Sequence, residues 1–177
     1  MMDVSVAYEK YKFLGYEFLT WLWYVIEKDA EYLRGIQPEM TSLDVGNRLV
    51  IENRQTGTVE TVTIKGDDAG LEEARLSLKK GGMVSEMNLM YRAAEQKWQF
   101  TIKGESFHIS TLKVPETGPV ESGEEWEGGV LERIFLYEKA VALVRQLFSG
   151  FIRLRIQNEW SNRVVPEMKN WLSGSKA

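Results

Sequence analysis

Apolar residues near the start of the chain recur at the three- and four-residue spacing of a helix. This pattern predicts a helix over about residues 11–28. Its main apolar face carries Leu14, Phe18, Trp21, Leu22 and Val25. Because Leu19, Trp23 and Ile26 lie on the far side, we expect the helix to be buried on two sides.

Alternating apolar and polar residues in the middle of the chain predict five strands. Their expected spans are 47–53, 58–65, 84–93, 97–103 and 106–112. In the fourth span Trp98, Phe100 and Ile102 point inward, and the outward residues are Lys97, Gln99, Thr101 and Lys103. Such alternation is typical of an antiparallel sheet with one packed face and one face in water. A short helix over residues 69–80, closed by two glycines, separates the second strand from the third.

The last third of the chain predicts one long helix over about residues 130–154. A heptad stripe of apolar residues runs along it: Val130, Ile134, Tyr137, Val141, Val144, Phe148 and Phe151. A leucine stripe lies about 120° away around the helix, and it contains Leu136, Leu143, Leu147 and Leu154. One stripe can cover the sheet, whereas the other requires either the first helix or a second subunit as its partner. A final short helix starts at Pro166 and carries Trp171.

Together these elements predict an α+β fold formed by residues 1–177 as one domain. An antiparallel sheet of about five strands is packed on one face by the hydrophobic N-terminal helix and the long C-terminal helix. We also predict a homodimer formed through the helices, with Leu143, Leu147 and Leu154 near the centre of the contact.

Residues 114–129 have the composition of a linker. They contain two prolines, four glycines and five glutamates, and no basic residue. We predict a mobile acidic loop over this whole range.

Composition restricts the class of protein. The chain has no cysteine, which excludes thiol catalysis and thiolate zinc sites and favours a reducing compartment. Asp3 and Glu9 stand where a signal peptide would be basic, and the first apolar stretch is too short and polar to span a bilayer. We therefore expect a cytoplasmic protein without membrane contact.

The charge is unevenly distributed along the chain. The net charge is −4, but the residues from position 145 onward hold six basic and two acidic side chains, a local charge of +4. This basic end is either a phosphate-binding surface or a solvated helix surface. The candidate phosphate contacts are Lys79, Lys80, Arg145, Arg153, Arg155 and Arg163.

The sequence offers no catalytic residue, metal ligand set or cofactor motif, so we expect a non-enzymatic protein that needs no cofactor. His108 is the single histidine and is expected to face outward from a strand. Glu17 lies beside the apolar stripe of the first helix, and a carboxylate there is expected to form an internal ion pair with an arginine.

Residues 13–23, which read FLGYEFLTWLW, and Glu27 after them resemble a segment of bacterial recombination-associated proteins of the RdgC type. The order of the later elements is also similar: a hairpin, a helix ending in Lys-Lys-Gly, a W-x-F-T-I strand and a long helix. Tyr16 stands where we expect arginine in that family, and most of the family's N-terminal half has no counterpart here. The resemblance implies sequence-independent DNA binding, ring-like dimers and restraint of recombinase activity.

Two functions from different classes remain open at this point. The first is DNA binding linked to recombination or its control. The second is a protein-interaction or assembly module without nucleic-acid binding, of the kind found in phages and mobile elements.

Overall fold

The computed structural model describes residues 4–55, 58–64, 68–118 and 124–174. The helices are α1 (Val4–Lys28), α2 (Ala30–Ile36), α3 (Asp68–Lys79), α4 (Glu124–Arg155) and α5 (Val165–Ser173), with a π-helical turn over Trp160–Val164 just before α5. The strands are β1 (Ser42–Gln55), β2 (Thr58–Ile64), β3 (Met83–Ala93), β4 (Gln96–Lys103) and β5 (His108–Lys113). For residues 4–13 only the backbone of α1 is described.

The strands form one five-stranded sheet in the order β2-β1-β3-β4-β5, and every neighbouring pair is antiparallel. This confirms the predicted α+β fold. The structure adds two elements that the sequence did not predict, α2 and the π-helical turn, and it begins β1 at Ser42 rather than near residue 47. The sequence also predicts a turn over residues 55–57 between the first two strands. Residue 55 is the last of β1, and residues 56–57 lie outside the described residues.

The core lies on one face of the sheet, because paired residues on neighbouring strands share a face. Leu89 is paired with Val45 on β1 and with Phe100 on β4, and all three belong to or pack on the hydrophobic core. Trp98, Phe100 and Ile102 are fully buried, as the alternation in β4 predicts. The opposite set of side chains forms what we call the outer face of the sheet.

Helix α1 crosses the core face and packs mainly on β3. Its central aromatic residues Phe18, Trp21 and Trp23 have no exposed surface, in agreement with a helix buried on two sides. Thr20 anchors it to the sheet, because its hydroxyl accepts a hydrogen bond from the backbone N–H of Val84 at 3.0 Å. The remaining side of α1 is covered by the C-terminal elements, where Phe151 lies 5.3 Å from the Trp21 ring.

The expected ion pair of Glu17 is present. Its Oε1 accepts a hydrogen bond from Arg155 Nε at 3.0 Å, which ties α1 to the end of α4. The pair is not internal, however, since the arginine side chain is 42% exposed. Solvent screening therefore leaves this ion pair worth about 1 kcal/mol or less.

The predicted loop over residues 114–129 is wrong at its C-terminal end. Helix α4 begins at Glu124, so residues 124–129 form its first turns. Glu127 lies near the positive end of the helix dipole, where a carboxylate is favourable. This offsets part of the cost of the two following glycines, about 1 kcal/mol each in a helix. Residues 119–123 of the predicted loop lie outside the described residues.

The structure also corrects the predicted centre of a helix-mediated dimer. The leucine stripe of α4 is core of the same chain: Leu136, Leu143, Leu147 and Leu154 are all buried. The first helix and the aromatic residues of the sheet fill the space beside it, and Trp98 Nε1 donates a hydrogen bond to the Leu136 carbonyl at 3.0 Å. These leucines therefore cannot form an intersubunit contact.

Within the described residues, no helix has the length and apolar character needed to cross a membrane.

Candidate nucleic-acid interface

Two of the six predicted phosphate contacts already have anionic partners within the chain. Arg155 binds Glu17, and its guanidinium also stacks over the Trp160 ring at 5.3 Å. Arg163 lies between two carboxylates, with Glu159 at 2.7 Å and Glu167 at 3.1 Å. Because a phosphate would have to displace these partners, Arg155 and Arg163 are poor phosphate ligands.

The other four predicted contacts are exposed but divided between two helices. Lys79 and Lys80 lie at the C-terminal end of α3, which packs on β1, β2 and α5. Arg145 and Arg153 lie on α4, which packs on α1 and α2. The two arginines are eight residues apart, about 12 Å along a helix axis. The predicted set therefore does not form one continuous cluster.

A different group of cations lies along the outer face of the sheet, from one end of β4 to the other. In the register of β3 and β4, Arg92 is directly opposite Lys97. At the other end of β4, Lys103 is opposite His108 on β5. Lys113 joins the same face through its pairing with Gln99. These five side chains are all exposed.

None of the four Lys and Arg residues of this cluster forms an ion pair within the described part of the chain. Glu86 is opposite Lys103 in the register, but its carboxylate binds Arg48 on β1 at 2.7 Å. Asp44 on β1 is also on this face, opposite Met90 and two positions from Ser42, which is opposite Arg92. Glu95 and Glu105 lie in the hairpin turns beyond the strand ends. The half of the outer face formed by β4 and β5 thus carries positive charge without a bound counter-charge.

The pair formed by Arg92 and Lys97 is the most informative feature of this surface. Like charges directly opposite one another on neighbouring strands destabilise a sheet. The described residues form no ion pair with either side chain, so the direct cross-strand contact of the two cations makes an unfavourable contribution to folding. An anionic ligand bound between the two side chains would reverse the sign of that contribution.

Neutral polar groups fill the centre of the outer face and hydrogen-bond to one another. Gln99 Nε2 donates to Asn88 Oδ1 at 3.0 Å, and Asn88 Nδ2 donates to the Thr101 hydroxyl at 2.9 Å. The Thr101 and Thr111 hydroxyls are 2.9 Å apart and share a hydrogen bond. These groups are used within the sheet, so the face presents charge rather than free donors and acceptors that could read bases.

A β-bulge in β5 places Lys113 on this face. Ser110 is paired with Thr101 and Lys113 with Gln99, so two residues of β5 are opposite Phe100 alone. Because of this extra residue, Ser110 and Lys113 both point to the outer face although they are three positions apart. Thr111 adopts a φ of 51° at the bulge, a strained value for a β-branched residue.

The sequence pattern indicates only part of this surface. Alternation in β4 already placed Lys97 and Lys103 outward, and we interpreted them as a solvated face. The alternation of β3 likewise places Arg92 on this face, opposite to Met87, Leu89 and Tyr91, whereas Lys113 has no local signal because the bulge in β5 decides which way it points. His108 is exposed at the start of β5, as predicted.

The described residues were also compared with the requirements of a metal site. Nowhere in them do three His, Asp or Glu side chains come together in a way that could hold a metal ion. Comparison with models of known protein families gives no match. A search of curated proteins likewise gives no match.

Proposed function

We propose that this chain is a non-enzymatic protein that binds DNA through its phosphate backbone, without sequence preference. The observation that carries the proposal is the cross-strand pair of Arg92 and Lys97 on the outer face, together with Lys103 and Lys113 on the same face. The predicted helix cations, by contrast, are divided between α3 and α4 or bound to carboxylates. The acidic net charge does not oppose this assignment, since phosphate binding depends on the local potential.

The composition of the outer face favours duplex DNA over single strands. Single-strand binding without sequence preference relies on aromatic side chains on which bases stack. The described part of the outer face presents no Phe, Tyr or Trp. Four phosphate contacts would make the logarithm of the binding constant fall with the logarithm of salt concentration with a slope of roughly −3.6.

The link to recombination or its control is part of the same proposal. It is supported by the resemblance of residues 13–23 to the RdgC type. In this structure residues 14–23 of that segment are buried or half-buried in α1, so they support a shared fold rather than a shared binding surface. The absence of cysteine supports a cytoplasmic location, where such a protein would act.

Two charge-matched triple variants test the location of the site. The first, Lys97→Gln/Lys103→Gln/Lys113→Gln, removes three cations of the outer face. The second, Lys79→Gln/Arg145→Gln/Arg153→Gln, removes three exposed cations of the helices. In a fluorescence anisotropy titration with a duplex of mixed sequence, we expect the first to reduce the salt slope by about 2.7 and the second to leave it unchanged.

The outcomes separate three interpretations. Loss of affinity in the second variant alone would return the site to the helix residues of the sequence prediction. Equal, small losses in both variants would indicate a dispersed and unspecific attraction. If the wild-type protein does not bind duplex or single-stranded DNA at tens of micromolar and low salt, the DNA-binding proposal is wrong.

A specific observation also favours the second candidate function, a protein-interaction or assembly module. The N-terminal half of α4 exposes large apolar side chains that no described element covers: Trp126, Val130, Leu131, Ile134, Phe135, Tyr137 and Val141. Contiguous apolar surface of this kind marks interaction sites. This surface and the outer face of the sheet use different residues, so each function can be tested separately.

A further inference from the structure

The heptad stripe of α4 is covered by the described part of the chain over only half of its length. At its C-terminal end Phe151 is fully buried, and Phe148 packs against Phe107 and Phe18 with ring centroids 4.6 and 5.3 Å apart. The four earlier residues of the stripe have between 40% and 47% of their surface exposed: Val130, Ile134, Tyr137 and Val141. We call these four residues the open half of the stripe.

The open half keeps the four-three-four spacing that packing of two parallel helices requires. Surface grooves flank it on both sides. One, of about 440 Å³, lies between α4 and residue Thr117 and includes Trp126. The other, of about 480 Å³, is lined by Glu138, Ala142 and Arg145 along with residues of the stripe. A helix with protruding side chains at the same spacing would fill both grooves.

Charged residues on either side of the open half point to one particular occupant. Arg133 and Glu138 are exposed, five positions apart, and lie on opposite sides of the stripe. Arg133 directly precedes Ile134 of the stripe, and Glu138 directly follows Tyr137. In a parallel two-helix coiled coil, residues at these two positions face each other across the pair of helices. A second copy of α4 would therefore place each Arg133 opposite the partner's Glu138, giving two reciprocal ion pairs.

An antiparallel pair would not produce this match. In that arrangement residues on the same side of the stripe face one another, so Arg133 would approach its own copy and Ala140, whereas Glu138 would approach the partner's Arg145. Ala140 is buried in its own chain, which leaves no favourable contact there. Arg133 therefore gains an opposite charge only in the parallel arrangement, and charge reversal at Arg133 distinguishes the two arrangements.

We propose that two copies of this chain associate through the open half of the heptad stripe, with their α4 helices parallel and Arg133 paired with Glu138 across the two-fold axis. The proposal is independent of DNA binding, since none of these residues lies on the outer face of the sheet. It replaces the contact centred on the leucine stripe, which is intrachain core.

The first test is the mass of the intact protein in solution. Sedimentation analysis from roughly 1 to 100 micromolar is expected to show a concentration-dependent shift to twice the chain mass of 20.4 kDa. The variant Ile134→Asp should remain monomeric over this range, while Phe135→Asp should dimerise like the wild type. Phe135 is a suitable control because it is 55% exposed on the same helix but points away from the stripe.

The second test uses charge reversal to establish the register. Arg133→Glu and Glu138→Arg should each weaken dimerisation on the order of tenfold, and the double variant should restore it. Circular dichroism of each variant checks that α4 is intact, since all substituted residues are exposed. A monomer at every concentration, dimerisation unaffected by Ile134→Asp, or failure of the double variant to restore it would each overturn the proposal.

The outcome separates this proposal from the one on DNA. If the protein binds duplex DNA but stays monomeric, the DNA-binding proposal stands and the dimer proposal is wrong. If it dimerises but does not bind DNA, the dimer proposal stands and the DNA-binding proposal is wrong.

Discussion

The carboxylate of Glu27, at the end of α1, connects three helices. It accepts hydrogen bonds from the indole N–H of Trp23 at 2.9 Å and of Trp171, on α5, at 2.8 Å. Arg75 on α3 approaches both carboxylate oxygens at 2.9 Å. The sequence could not predict this arrangement, because it depends on where α3 and α5 lie relative to α1. Glu17, by contrast, could be assigned an ion pair from its position on the helix, although not with Arg155.

Removing the charge at position 27 should therefore destabilise the protein. In Glu27→Gln the Arg75 guanidinium loses its charged partner in a largely buried place. The glutamine side chain has one acceptor oxygen in place of two, so it cannot accept hydrogen bonds from Arg75 and both indole N–H groups. We expect a loss of about 1–3 kcal/mol in the free energy of unfolding, measured by urea denaturation. The control Glu72→Gln also removes a carboxylate near Arg75, but one that is 80% exposed, and should change stability by less than about 0.5 kcal/mol.

Tyr24 should make the protein sensitive to alkaline pH. Burial, then the hydrogen bond to Glu167 at 2.9 Å and the negative charge of that carboxylate, raise the pKa of Tyr24 to about 12. The folded state therefore keeps the phenol proton at pH values where the unfolded chain loses it. The stabilisation from this difference is fully present below pH 10 and disappears as the pH rises toward 12, a loss of roughly 2–3 kcal/mol.

Urea denaturation of the wild type and of Tyr24→Phe at several pH values checks this prediction. The variant should lose less stability than the wild type between about pH 10 and pH 12. Burial also raises the pKa of Tyr32 and of Tyr91, so part of the alkaline loss should remain in the variant. Identical alkaline profiles for the two proteins would contradict the assignment to Tyr24.

Between elements, the contact of α1 with the sheet depends on two glycines. A Cβ atom on Gly15 would lie 1.7 Å from the Gly104 carbonyl oxygen, a backbone atom at the end of β4 that cannot rotate away. Gly15 thus allows α1 to approach the β4–β5 hairpin, where Tyr16 covers Gly104. The glycine inside the predicted first helix, unfavourable for a helix by about 1 kcal/mol, is explained by this close approach.

Substitution of Gly15 should accordingly be among the most damaging single changes. Gly15→Ala must separate α1 from Gly104, and we expect a loss of about 3 kcal/mol or more, read from the melting temperature. Gly35→Ala provides the matched control, since a Cβ there meets nothing within 4 Å inside α2. That variant should be unchanged or stabilised by up to about 1 kcal/mol. Similar melting temperatures for both variants would exclude the tight contact.

Element type was more predictable than element limits. The alternation in β3 and β4 and the two glycines after α3 gave local signals that the structure confirms, including the positive φ of Gly81. The bulge in β5 gave none, because Thr111 is a residue that ordinarily continues a strand. The start of α4 was missed because its glycines suggested a loop, whereas the helix continues through them.

For the molecule as a whole, the layered α+β arrangement followed from periodicity, since one apolar face of a sheet must be covered by apolar helices. The candidate surfaces did not follow in the same way. The cations of the outer face come from three strands, and only the pairing register shows that they are neighbours. Likewise, the sequence contained both stripes of α4, but only packing shows which one is left uncovered.

The dependence of α1 on the far end of the chain affects how the protein is made. Its contacts with Arg155, Glu167 and Trp171 join residues 138, 143 and 144 positions apart. Contacts so distant in sequence form late and slow folding, because a long loop must close first. During translation, α1 leaves the ribosome long before the segment that covers it is synthesised. The nascent chain therefore presents an aromatic helix without its native cover, the kind of segment that aggregates unless chaperones hold it.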